Sequence, residues 1–64
     1  MPGNPDKALK LLGLTGTSEA AVMKQLIIDY GNVKHPVTKA LLLAKMEAVS
    51  KQIHLKEALP QLGF

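Results

Sequence analysis

Pro36-Val37-Thr38-Lys39-Ala40-Leu41-Leu42-Leu43-Ala44-Lys45-Met46-Glu47-Ala48-Val49-Ser50-Lys51-Gln52-Ile53-His54 contains no glycine, and its one proline stands first, where a preset φ and a missing N–H suit a helix start. Its apolar residues recur at helical rather than alternating spacing, which predicts one unbroken helix over 36–54. At about 100° per residue, Leu42, Met46, Val49 and Ile53 line one side. Val37, Leu41, Ala44 and Ala48, with Leu55 if the helix continues, line a side well rotated from it. A polar strip of Lys39, Glu47, Ser50 and His54 and a narrower one of Thr38, Lys45 and Gln52 separate the two.

Two arrangements satisfy a helix that is apolar on two sides. In one, the remaining helices sandwich it as the centre of a tiny core, the usual fate of such helices. In the other, Leu42, Met46, Val49 and Ile53, spaced like a coiled-coil seam, meet a second copy or a foreign helix.

Upstream, Gly31-Asn32 predicts a helix stop, and Val22, Met23, Leu26, Ile27 and Tyr30 form one core-facing stripe of a helix over 18–30. Thr17 is its expected N-cap, with Glu19 in the first turn. Asn4-Pro5-Asp6 supplies a cap acceptor, a first-turn proline and a carboxylate at the positive helix end, which starts a helix over 5–12. Gly13 suits the left-handed residue after that helix, and Leu14 its apolar contact. Downstream, Leu55 to Leu59 are read as a short terminal turn closed by Pro60. Ala58-Leu59-Pro60-Gln61-Leu62-Gly63 repeats the pattern of Ala8-Leu9-Lys10-Leu11-Leu12-Gly13, which reads as shared helix-ending chemistry rather than duplication. The expected fold is an all-α, compact three-helix bundle, with residues 1–64 forming a single domain.

With 64 residues the chain holds one modest core. It has no cysteine, so disulfides, thiolate zinc sites and a cysteine nucleophile are excluded, and a cytoplasmic setting is expected. No apolar run spans a bilayer, and Met1-Pro2-Gly3-Asn4-Pro5-Asp6 lacks the regions of a secretory signal, so no membrane association is expected. The opening Met1 is read as the start of a complete short frame, as for a stand-alone phage or plasmid accessory factor.

The net charge of +3 leaves nucleic acid or an acidic protein surface open as partners. All eight basic residues are lysines, however, so the bidentate arginine reader of guanine is missing. One tyrosine, one phenylalanine and no tryptophan leave no stacking platform for bases.

Glu47, Ser50 and His54 share one face of the expected helix, yet a solvated strip offers no oxyanion site and no water-excluding pocket. Glu47, His54 and Glu57 lack the spacing of a metal site, and His35 lies 19 residues from His54. Gly13-Leu14-Thr15-Gly16-Thr17-Ser18 follows a helix rather than a strand and lacks the lysine of a phosphate loop. No catalytic, cofactor-binding or metal residue is assigned, and neither an enzymatic activity nor a small-molecule substrate is expected.

The expected function is non-enzymatic macromolecule binding, through a protein partner or a homo-oligomer at Leu42, Met46, Val49 and Ile53. The alternative is a helix-turn-helix-like DNA-binding regulator using helix 36–54, with Lys34, Thr38, Lys39, Lys45 and Lys51 as candidate contacts.

Overall fold

A computed structural model describes residues 3–64, so what was read from Met1 and Pro2 lies outside the described residues. The order is α1 (Pro5–Leu11), α2 (Ala20–Asn32), α3 (Pro36–Ser50) and α4 (Leu55–Gln61), with no strand among the described residues. The all-α expectation holds, but the three-helix count is corrected to four, because the expected terminal turn is a helix.

α1 begins as its sequence dictates. The Asn4 side chain accepts a hydrogen bond from the Lys7 amide at 3.2 Å, Pro5 occupies the first turn, and Asp6 pairs with Lys24 of α2 at 3.1 Å. Its end is set by Gly13, whose φ of +72° closes a two-bond cap. The Leu14 amide donates to the Leu9 carbonyl at 3.0 Å and the Gly13 amide to the Lys10 carbonyl at 3.1 Å. The same geometry recurs after α4, where Gly63 has φ +89° and the Phe64 amide donates to the Leu59 carbonyl at 3.1 Å. The repeated Ala-Leu-x-x-Leu-Gly pattern is therefore one capping solution used twice.

The starts and ends of the middle helices differ from expectation. Thr17 does not cap α2: its hydroxyl donates back to the Leu14 carbonyl at 2.6 Å, and the first helical bond runs from the Met23 amide to the Glu19 carbonyl at 2.9 Å. At the far end α2 continues through Gly31 and Asn32 to an extended Val33. His35 is extended because it precedes Pro36, so the reversal fits into 33–35.

α3 ends at Ser50 rather than at residue 54. Lys51 adopts the left-handed conformation, φ 59°, while its amide still reaches the Glu47 carbonyl at 2.8 Å. Beyond it the Gln52 amide donates to Ser50 Oγ at 3.2 Å, and the Gln52 side chain donates to the Leu12 carbonyl at 3.2 Å. This reversal delivers Leu55 and Leu59, both buried, to the core. A left-handed non-glycine residue costs roughly 1–2 kcal/mol. Burying two leucines contributes roughly 3–6 kcal/mol, which outweighs that cost. Pro60 lies inside α4 rather than closing it. The amide it lacks would have served the carbonyl of Lys56, an exposed residue beside water.

Every helix contributes to one core: Ala8 and Leu9 from α1, Met23 and Ile27 from α2, Met46 from α3, and Leu55 and Leu59 from α4, with Leu12 beside them. α2 is the middle helix, packed on α1 and α3, and α4 packs on α3. α3 thus packs between α2 and α4, without α1 closing over it, and keeps one side exposed.

Candidate interaction face

The geometry of α3 assigns its two stripes to different solvents. Met46 is 0% exposed, Leu42 and Val49 are half-buried, and Leu43 packs against the core beside them. Directly across the helix, Val37 is 62% and Leu41 61% exposed, and Ala44 and Ala48 are exposed with them. Taking about 100° per residue, these four cluster around the direction opposite Met46. Their 4-3-4 spacing is that of an a/d seam.

The residues expected to form a partner face are thus not one surface, and that assignment is corrected. Met46 belongs to the core, Val49 packs against it, and Leu42 is half-buried. Ile53 lies beyond the end of α3 and is 78% exposed. The outward stripe was legible as apolar, but not as the outward one. The available signal is side-chain size. Leu42, Met46 and Val49 carry more apolar area than a stripe holding two alanines, so folding buries the former first.

The candidate nucleic-acid contacts are dispersed. Lys39 is half-buried and its Nζ sits 4.4 Å from the centre of the Tyr30 ring, a cation–π contact that joins α3 to α2. Thr38 and Lys45 are exposed along one flank of the outward stripe. Lys34 lies before α3, while Lys51 lies after it, near Glu19. That glutamate is held below the usual carboxylate range, chiefly by its own backbone amide, then by the Ser18 hydroxyl, and also by Lys51.

The polar strip is broken as well: Ser50 ends α3, Glu47 is half-buried, and His54 stands exposed at the start of α4. Among the described residues no group of three histidine, aspartate or glutamate side chains is placed to hold a metal, and no helix is long and apolar enough to cross a membrane. A second apolar feature, a shallow groove lined by Lys7, Lys10, Leu11 and Leu62, lies where the end of α1 meets the C-terminal turn.

Among the described residues, fold and face together define four helices around one core, with α3 left half-covered. No family model, curated protein or solved structure matches the chain.

Proposed function

We propose that this protein acts without catalysis, as a protein-association module of the cytoplasm that takes an apolar helix along the outer face of α3. The carrying observation is the exposure of Val37, Leu41, Ala44 and Ala48 at seam spacing, opposite the buried Met46. About three-fifths of the leucine and of the valine surface remains to be covered. Fully burying such a side chain contributes roughly 1.5–3 kcal/mol, so covering this stripe is a real driving force. Ala44 and Ala48 leave room for a partner backbone at the short end of the helix-packing range.

The face is small. A 15-residue helix is about 22 Å long, and one stripe of it offers less than the roughly 800 Å² per partner of a standard interface. A contact of this size belongs to the weak, transient class of interfaces.

The DNA-binding alternative draws less support from the same face, because base readout needs polar side chains where Val37, Leu41, Ala44 and Ala48 stand. Lys39 is committed to Tyr30 rather than held ready for a phosphate.

The test is a titration of isotope-labelled protein with a synthetic amphipathic helix carrying leucine and alanine along its seam. Amide shifts should trace the outer face of α3 and disappear in Leu41→Lys. Shifts confined to other elements, or none at millimolar peptide, contradict the proposal. A salt-sensitive mobility shift with duplex DNA that Lys45→Glu abolishes would favour the nucleic-acid reading instead.

A further inference from the structure

We infer that the helix taken by this face is α3 of a second copy, docked antiparallel across a two-fold axis so that Leu41 of each copy packs on Ala44 of the other. The inference rests on the helix-docking reading above and names its partner.

The argument is one of size and charge along the stripe. Read from its N-terminal end, the outward seam is Val37, Leu41, Ala44, Ala48: two large side chains, then two small ones. Antiparallel pairing centred between Leu41 and Ala44 sets Val37 against Ala48 and Leu41 against Ala44, and the two-fold repeats both pairs. Every layer then holds one large and one small side chain, so the two helices keep a constant separation. Parallel pairing instead stacks Val37 on Val37 and Leu41 on Leu41, then Ala44 on Ala44 and Ala48 on Ala48, so the pair is crowded at one end and underpacked at the other.

The flanks agree. Lys45 shares one flank with Thr38, and Glu47 shares the other with Ala40. In the antiparallel pair Lys45 therefore faces Thr38 of the second copy and Glu47 faces Ala40, with no like charges directly opposed. Parallel alignment would align the two helix dipoles, which is unfavourable.

Because the chain has no cysteine, introduced thiols report the pairing without background. Val37→Cys and Ala48→Cys are each at an exposed position. The two variants are mixed near 1 mM with oxidised glutathione as the oxidant. The expected product is the mixed 37–48 disulfide, well beyond the twofold excess over either symmetric one that random pairing gives, and that surplus is lost when both chains also carry Leu41→Lys. Predominant 37–37 and 48–48 disulfides would overturn the antiparallel arrangement. A yield no higher than in the Leu41→Lys background would overturn pairing altogether.

Size complementarity has its own readout. Ala44→Leu adds apolar surface yet should weaken association about tenfold, and the swap Leu41→Ala with Ala44→Leu should restore it to within about threefold. Strengthening by Ala44→Leu alone would mean a merely sticky patch and contradict the proposal. A wild-type chain that binds the synthetic helix but stays monomeric at 1 mM overturns this inference alone. Failure to bind the synthetic helix as well removes the docking face itself.

Discussion

The two sides of α3 are both apolar and opposite in circumstance. On the inner side Met46 closes the core beside Met23, Ile27, Leu55 and Leu59. On the outer side Leu41 has the same kind of side chain and no neighbour to cover it. The difference teaches that apolar character locates a contact surface without saying whether the contact is with the same chain or another. Volume decides that here. A core of this size needs every large side chain it can enclose, and the stripe with two alanines is the one left outside.

The comparison breaks most visibly under charge. Met46→Lys should unfold the protein, because an ammonium without a partner in a closed core costs several kcal/mol, a large share of the stability of a small domain. Leu41→Lys should leave the dilute protein within about 0.5 kcal/mol of wild type by thermal or urea melting. Equal losses from the two would mean that the outer stripe is also core. Truncation sharpens the same contrast: Leu59→Ala should cost about 2–5 kcal/mol, and Val37→Ala little in dilute solution.

A smaller effect tests how the inner side is completed. Lys51→Gly should stabilise by about 0.5–1 kcal/mol, since glycine takes the left-handed conformation freely. A loss in urea melts would show that the lysine side chain matters more than its backbone strain. The smallest effect concerns Glu19, on the loop that leads into α2. Its folded-state pKa is lowered, so its contribution is present above the ordinary carboxylate range and lost as pH falls through the folded value. Glu19 is fully exposed, so the Glu19→Gln variant should show only a slightly shallower acid-side decline in Tm.

Much of this was legible in the residues, and the exceptions share a cause. Asn4, Pro5 and Gly13 act on their own backbone and its nearest neighbours, so their reading stood. The end of α3 has no such local signal. Lys51-Gln52-Ile53-His54 contains no glycine, proline or asparagine, and the chain turns there because Leu55 and Leu59 reach the core and Gln52 reaches Leu12. Thr17 was misread because α2 starts at Ala20, which puts Glu19 rather than Thr17 at the cap position, and the Thr17 hydroxyl donates to the Leu14 carbonyl of the preceding turn. The candidate face was half legible: periodicity revealed both stripes, and only packing separates the one that Met46 anchors from the one that Leu41 leads.

The most direct measurement is sedimentation of the wild-type chain and of Leu41→Lys across about 10 µM to 1 mM, concentrations at which weak association is populated. The account predicts that the wild-type average mass rises toward two chains with concentration while folded Leu41→Lys stays at one. Identical monomeric behaviour of both over that range, or association of both alike, would contradict it.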